Sequence, residues 1–312
     1  MKIDGISITV CCYNDGHLLP NFLDTFLVLK KIELKVELNI IDNASTDNTK
    51  QVFNNYLASF ENTEFEFNYH YEGTRGLNHA RNKGITVAKY QYIGFSDADA
   101  KFHPFYLKVL INLILKESPL IIFGPYYPWY NSEKPKWYKD EYNSYDLKQT
   151  SGYVKENIYP NGINMIYEIE TLKKIGSFGT EIVYKGLNDR GEETELFYRY
   201  KNTIKKNHIY YEPDLIVYHY TRPKTMTLNH WIKSNWGTGK NHAKFMGNTS
   251  LSKNVKDILW ILKIVFIDSL KHIFRFENYK YEFVQNFLIE KIFSHVYTFS
   301  LAYHRIKKKS TN

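Results

Sequence analysis

The sequence predicts an α/β fold with a mostly parallel central sheet and a helical extension at its C-terminal end. Three features predict it. Through Phe123, apolar β-rich runs alternate with stretches of helical periodicity. Each run closes on turn residues or carboxylates at the same end. Beyond about residue 248 the periodicity is helical only. Alternation of this kind covers both faces of a sheet with helices, and ligands on such sheets bind beyond the carboxyl ends of the strands.

Residues 6–12 form a continuous apolar run closed by Tyr13-Asn14-Asp15-Gly16. Leu18, Leu19, Phe22, Leu23, Phe26, Leu27 and Leu29 then recur at helical spacing. A second strand over 36–41 ends at Asp42-Asn43-Ala44-Ser45-Thr46-Asp47, where Ser45 or Thr46 is placed to cap a helix carrying Val52, Phe53 and Tyr56 inward. A third strand covers 65–71 and a third helix 76–88. Tyr92-Ile93-Gly94-Phe95-Ser96-Asp97-Ala98-Asp99 is an apolar strand that stops at two carboxylates one residue apart. Burying such a pair is costly unless something neutralises it. A divalent cation does so, since hard oxygen ligands suit magnesium or manganese and leave positions open for phosphate. A helix over 104–116 and a strand over 120–123 complete this half.

The stretch 124–161 is irregular and crowded with aromatics, among them Tyr126, Tyr127, Trp129, Trp137 and Tyr145. Aromatic faces in a long loop suit sugar rings or bases, or pack the loop down. A second acidic cluster, Gly191-Glu192-Glu193-Thr194-Glu195-Leu196-Phe197, falls in the first turn of a predicted helix. A helix dipole favours carboxylates there, and so does a general base.

The composition, 43% hydrophobic and 24% charged over 312 residues, is that of a globular chain. No apolar run reaches the roughly 18 residues of a membrane span. Acid and glycine in the opening Met1-Lys2-Ile3-Asp4-Gly5 leave no apolar signal-peptide core, so a cytoplasmic location is expected. The only cysteines, Cys11 and Cys12, are adjacent in a strand and read as reduced core residues. Of the net charge of +8, residues 253–312 carry 11 Lys/Arg against 5 Asp/Glu, a surplus of 6. Basicity gathered at one end, away from the aromatics, points away from nucleic acid and toward an anionic surface or a solvated tail.

The order of these signals resembles family 2 glycosyltransferases, whose fold is the Rossmann-like GT-A sandwich, over residues 5–245. Ser7-Ile8-Thr9-Val10-Cys11-Cys12-Tyr13-Asn14 resembles the opening strand that cups the nucleotide. Ile41-Asp42-Asn43-Ala44-Ser45-Thr46-Asp47-Asn48-Thr49 resembles the family's Asp-Asn-x-Ser-Thr-Asp-x-Thr signature, and Gly76-Leu77-Asn78-His79-Ala80-Arg81-Asn82-Lys83-Gly84 its Gly-x-x-x-Ala-Arg-Asn-x-Gly helix. Asp97-Ala98-Asp99 occupies the metal motif, Gly162-Ile163-Asn164-Met165 a Gly-x-Asn-Met segment, and Val217-Tyr218-His219 the strand that ends in histidine. Glu192-Glu193-Thr194-Glu195-Leu196 resembles Glu-Asp-x-Asp-Leu, with Glu193 and Glu195 where Asp is usual.

The resemblance implies a donor site of Thr9, Cys11, Tyr13, Asn14, Asp42, Asn43, Gly76, Arg81, Asp97 and Asn164. It implies a divalent cation, Mn2+ or Mg2+, on Asp97, Asp99 and His219, and Glu193 as catalytic base with Glu192 as the alternative one residue away. The activity implied is inverting transfer from a nucleoside-diphosphate sugar, a UDP-sugar first, to a glycan or lipid-linked acceptor in surface polysaccharide synthesis. Two other readings stay open. A sugar nucleotidyltransferase needs a Gly-rich, Arg-containing loop after the first strand, where this chain has Cys12-Tyr13-Asn14-Asp15-Gly16-His17. An inactive glycan- or nucleotide-binding module is compatible with Glu for Asp, but not readily with an intact Asp97/Asp99 pair.

The expected domains are 1–247, divided into a nucleotide-sugar half (1–124) and an acceptor half (125–247), and a basic helical extension, 248–312. Residues 228–245, with Trp231, Trp236, Gly237, Gly239 and Lys240, read either as a mobile flap or as a helix-to-loop junction. Two apolar-striped helices follow, at about 255–275 and 283–303. They are expected to pack on the sheet domain or to meet an anionic membrane surface from the cytoplasmic side, peripherally.

Overall fold

A computed structural model describes residues 3–30, 34–155, 158, 160–180, 192–204, 208–246 and 249–310. They fall into two compact units, one of Met1–Trp129, Asp140–Glu181 and Glu192–Tyr220, the other of Tyr130–Lys139 and Thr221–Asn312.

The first unit begins with β1 (Gly5–Cys12), α1 (Leu19–Leu27), β2 (Lys35–Asp42), α2 (Thr49–Glu61), β3 (Phe65–Tyr71), α3 (Leu77–Val87) and β4 (Tyr92–Asp97). It continues with β5 (Ala100–Phe102), α4 (Tyr106–Glu117), β6 (Ile121–Phe123), β7 (Tyr126–Trp129), β8 (Gly152–Tyr153) and β9 (Met165–Glu168). Then come α5 (Ile169–Lys174), α6 (Glu192–Thr203), β10 (Ile209–Tyr211) and β11 (Val217–Tyr220). The main sheet has the order β3-β2-β1-β4-β9-β6-β10-β8. Its first four strands are mutually parallel, while β9 runs antiparallel to both of its neighbours. A smaller sheet has the order β5-β11-β7.

β1 is buried along its whole length because both of its faces are covered. Ile6, Ile8 and Val10 pack with Phe22 and Phe26 of α1 and with Leu107 and Leu110 of α4. On the other face, Ile93 and Phe95 of β4 pack with Leu172 of α5 and with Leu196 and Tyr200 of α6. Each such side chain contributes roughly 1.5–3 kcal/mol by leaving water. α3 crosses β1 closely because Gly84 has no side chain; a Cβ there would lie 2.5 Å from Thr9 Cγ2.

Neither Ser45 nor Thr46 caps α2. The N-cap position is Asn48, which makes no side-chain cap bond, and Asp47 just before it accepts on Oδ1 from the Thr49 amide at 3.0 Å and the Thr49 hydroxyl at 2.5 Å. The Ser45 hydroxyl instead receives the Asn14 amide at 3.0 Å. Several loop aromatics hold the loop itself. Tyr126 and Tyr145 exchange backbone hydrogen bonds of 3.0 Å. The Tyr127 and Tyr211 hydroxyls donate to the two oxygens of Asp146 at 2.6 and 2.8 Å.

The second unit contains α7 (Leu228–Phe245), α8 (Leu251–Ile273), α9 (Val284–Phe287) and α10 (Ser294–Ser310), with a π-helical turn, Leu288–Phe293, between the last two. Thr227 and Ser250 cap α7 and α8 with their hydroxyls. Residues 228–245 are therefore one helix and not a helix-to-loop junction, and α7 packs with α10 in this unit. Gly239 allows the approach, since a Cβ there would lie 2.5 Å from the Tyr297 carbonyl oxygen. The Ser300 hydroxyl donates to the Trp236 carbonyl at 2.6 Å, and His242 Nδ1 lies 2.9 Å from the Tyr297 hydroxyl. Among the described residues no helix is long and apolar enough to cross a membrane.

Candidate active site at the carboxyl edge of the sheet

Strand register gathers the candidate residues. Cys12 of β1 pairs with Asp42 of β2, and Cys11 with Asp97 of β4, so three parallel strands end at one level. Asp42 is buried; its Oδ1 accepts from the Ser45 amide at 2.8 Å and its Oδ2 from the Tyr69 hydroxyl at 2.6 Å. Just past β1, Asn14 takes φ 54°, a left-handed conformation that Asn tolerates, and its Oδ1 accepts from the Thr46 amide at 2.7 Å. Tyr13 stands 43% exposed with the Arg75 guanidinium 5.0 Å from its ring centroid. Gly76, at φ 139°, opens α3 beside this pair.

Asp97, Asp99 and His219 each offer a ligand atom, and the three atoms lie within 4.8 Å of one another. β11 supplies the histidine, because His219 pairs with Ala100 of β5 directly after the Asp-x-Asp turn. His219 Nε2 is 3.3 Å from Asp99 Oδ1. The Asp99 carbonyl is fixed by the Tyr220 amide and by the Trp129 indole N–H, each at 3.0 Å. Burial, then the Asp99 carboxylate, pushes the Asp97 carboxyl up from 3.8 to about 6, while Arg81 and His219 act the other way. Two carboxylates beside an imidazole, their ligand atoms within 4.8 Å of one another, are a donor set that fits a divalent cation of the manganese or magnesium class.

Arg81, nearly buried, reaches from α3 to α6. Its Nη2 is 3.0 Å from Glu193 Oε1 and 3.4 Å from the Gly162 carbonyl, with the guanidinium 5.1 Å from the Phe178 ring centroid. Of the cluster's described carboxylates, Glu193 is the one that meets Arg81 and lies close enough to act on Asp97. Glu195 turns elsewhere: both its oxygens hold Arg199, at 2.6 and 2.8 Å, and Arg199 secures the Ile175 and Ser177 carbonyls. Glu192 begins α6, and its side chain lies outside the described residues.

Four expected donor contacts occupy other positions. Thr9 is fully buried within β1 under α3, two residues short of the edge. Asn164 is fully buried too, its amide accepting from Tyr106 at 2.8 Å and donating to the Pro125 and Leu215 carbonyls at 3.2 and 2.6 Å. These bonds tie the start of β9 to the smaller sheet. The Asn43 amide accepts from the Gly76 amide and donates to the Thr74 carbonyl, both at 2.7 Å, which positions the 72–76 loop. Burial pushes the Cys11 thiol up to about 12, so it packs at the edge as a small apolar group. Sequence reading missed Arg75, whose only signal was its place just before Gly76.

The fold is shared with solved proteins. A Pyrobaculum calidifontis mannosyltransferase in complex with GDP-Man and Mn2+ superposes with a TM-score of 0.59 at 16% identity, covering 80% of this chain and 66% of that one. S. aureus TarS 1-349 in complex with UDP-GlcNAc gives 0.53 at 14% identity, covering 99% and 92%. At these identities the likeness is one of fold, and the fold is GT-A. The profile of glycosyl transferase family 2 matches residues 7–176, more than half of the chain, and the chain belongs to that family. Poly-beta-1,6-N-acetyl-D-glucosamine synthase of Staphylococcus epidermidis is 33% identical over 109 residues, which is 34% of this chain and 25% of that protein. Glycosyltransferase GlyG of Streptococcus pneumoniae is 27% identical over 128 residues, 41% of each chain. The match thus spans only a quarter to two fifths of these relatives' length.

Proposed function

We propose that this chain is an inverting, metal-dependent glycosyltransferase. It moves a sugar from a nucleoside-diphosphate donor, a UDP-sugar first, to a hydroxyl of a glycan or lipid-linked acceptor in surface polysaccharide synthesis. The site of action is the cytoplasmic side of a membrane. The observation that carries the reading is the convergence of Asp97, Asp99 and His219 at the strand edge that also bears Asp42 and Tyr13.

Asp97 and Asp99 would hold the cation, Mn2+ or Mg2+, with His219 as third ligand; when bound it supplies Lewis-acid stabilisation of the departing diphosphate. Asp42 and Asn14 bind the nucleoside, with Tyr13 and Arg75 offering a flat face to the base and Gly76 a close backbone approach. Glu193 takes the proton of the acceptor hydroxyl as that oxygen forms its bond to the anomeric carbon. The bond from that carbon to the diphosphate oxygen breaks on the opposite face, which inverts the configuration. Arg81 acts as a positioning residue, holding one oxygen of Glu193 and leaving the other for the acceptor. Glu192 is the alternative base.

The test is a donor-hydrolysis screen over UDP-, GDP- and TDP-sugars, with added Mn2+ and then with chelator. Release of nucleoside diphosphate from one donor, abolished by chelator and by Asp99→Ala, is expected. Undiminished turnover in chelator overturns the metal assignment, and tight binding of every donor without hydrolysis or transfer overturns the enzyme.

A further inference from the structure

α8 carries an apolar stripe that no described residue of the second unit covers. Val255, Leu259, Leu262, Phe266, Leu270 and Ile273 recur at intervals of three and four, and all are exposed, Phe266 by 64% and Ile273 by 68%. From Val255 to Ile273 the stripe runs about 27 Å at 1.5 Å per residue. Phe274 and Phe276, also exposed, prolong it past the helix end. Exposed apolar surface of this extent marks an interaction site.

Charge identifies the partner. Lys256 and Lys263 are exposed and flank the stripe, whereas the helix's two carboxylates lie toward the packed side. Asp268 is buried and accepts from the Tyr279 hydroxyl at 2.7 Å; Asp257 is half-buried. Two copies joined through this face would set lysine against lysine with no acid between them. An anionic bilayer accommodates both features, as it does for helices that lie in the interfacial plane.

A second feature sits at the end of the stripe. A cavity of about 520 Å³ is lined by His272, Arg275, Tyr279, Lys280 and Tyr281, with Glu282 as its one carboxylate. The His272 ring stacks on Phe287 at 3.9 Å, and its Nδ1 lies 3.1 Å from the Tyr279 carbonyl oxygen, so its place is set. Arg275 holds φ 53° at the position after the helix end, where its amide bonds the His272 carbonyl at 3.1 Å and the next amide bonds that of Lys271 at 3.0 Å. Glycine is the residue that this helix-ending turn favours, and a side chain is disfavoured there. The Arg275 side chain lines the cavity together with Lys280.

We infer that the exposed face of α8 docks on an anionic bilayer, the apolar stripe entering the headgroup region and the Arg275–Lys280 cavity receiving a lipid phosphate. The inference rests on the membrane location proposed above and not on the transfer chemistry.

The test is co-sedimentation of the full chain with vesicles of phosphatidylcholine alone or with about one quarter phosphatidylglycerol. Binding should require the anionic lipid and weaken with salt. Lys256→Gln with Lys263→Gln should lower the partition constant roughly 25-fold, taking about 1 kcal/mol for each lysine near such a surface. Leu259→Ser with Phe266→Ser should lower it more than tenfold. Arg275→Gly should lower it about fivefold while leaving the melting temperature unchanged or raised, an outcome that a purely structural arginine would not produce. Asp99→Ala should bind vesicles like the parent protein whatever its turnover, so failure here is distinct from failure of the transferase reading. Equal sedimentation with both vesicle types overturns the inference. So does an Arg275→Gly protein that melts earlier and binds unchanged, or a dimer that the serine pair converts to monomer.

Discussion

Replacing Arg81 with methionine keeps much of its volume and deletes a nearly buried charge between two carboxylate groups. The side chains of Arg81 and Glu193 are 3% and 18% exposed, with 3.0 Å between Nη2 and Oε1. At about 4 Å between charge centres and an effective dielectric near 20, their attraction is about 4 kcal/mol. Desolvation offsets most of this, so the net worth of the intact pair is small. Breaking it one-sidedly is another matter. Arg81→Met leaves Glu193 uncompensated near Asp97 and removes the contacts to Gly162 and Phe178, which should cost about 3–5 kcal/mol. Glu193→Gln keeps an acceptor for Arg81 and should cost about 1–2 kcal/mol. The double variant removes both charges, so its loss should fall short of the sum by about 0.5–3 kcal/mol. Urea denaturation of the four proteins at low salt measures the cycle. Additivity within about 0.5 kcal/mol refutes the coupling. Single-turnover transfer with the same proteins separates the roles of Glu193. If Glu193→Gln transfers sugar like the parent protein, Glu193 only partners Arg81, and Glu192→Gln becomes the variant to compare.

Four other outcomes are expected. Asp99→Ala should abolish Mn2+ binding measured by calorimetry; with Asp97 pushed up to about 6, Mn2+ affinity of the unaltered protein should fall as pH drops from 7 to 5, because the cation must then displace a proton. Asp42→Asn should weaken nucleoside-diphosphate binding by roughly 1.5–3 kcal/mol through loss of a charge-assisted hydrogen bond, and unchanged affinity removes Asp42 from the site. Tyr13→Ala or Arg75→Ala should each weaken it by about 0.5–2 kcal/mol with melting temperature unchanged, since the pair is exposed. Asp146→Asn tests acid stability. Burial opposes ionisation of Asp146, but hydrogen bonds from Tyr127, Lys148 and Tyr211 outweigh it and hold the carboxyl well below the usual range. A depressed folded-state value adds stability above the unfolded value of about 3.9, and that stability drains away as pH falls toward the folded value. Between pH 5 and pH 3 the parent protein should therefore lose stability more steeply than Asp146→Asn, by urea midpoint; parallel slopes contradict the assignment.

The parallel half of the sheet was legible because its strands are apolar, uninterrupted and closed by turn chemistry; β1, β2 and β3 all fall within a residue of where periodicity puts them. Strand order was not. Nothing in Met165–Glu168 tells that β9 inserts antiparallel between β4 and β6, since periodicity reports a strand's faces and not its neighbours. Gly237 and Gly239 read as punctuation, yet they lie inside α7, where Gly239 marks the approach of α10.

The same asymmetry divides the site. Asp42, Asp97 and Asp99 could be placed from sequence because a carboxylate ending a buried strand has few affordable positions; desolvation alone drives it to the edge. Thr9, Asn43 and Asn164 carry no such constraint. An amide or hydroxyl is equally at home on a ligand or on a backbone carbonyl, and Asn164 finds its carbonyls 39 and 51 residues away. Arg81 shows the case between. Its charge demanded a partner, which the sequence made evident, and the structure places one 112 residues on, in Glu193. The acidic cluster follows the same rule: Glu193 and Glu195 differ in nothing but register on one helix turn. Arg199, four residues beyond Glu195, claims that carboxylate, which leaves Glu193 as the one of the two that meets Arg81 beside the metal motif.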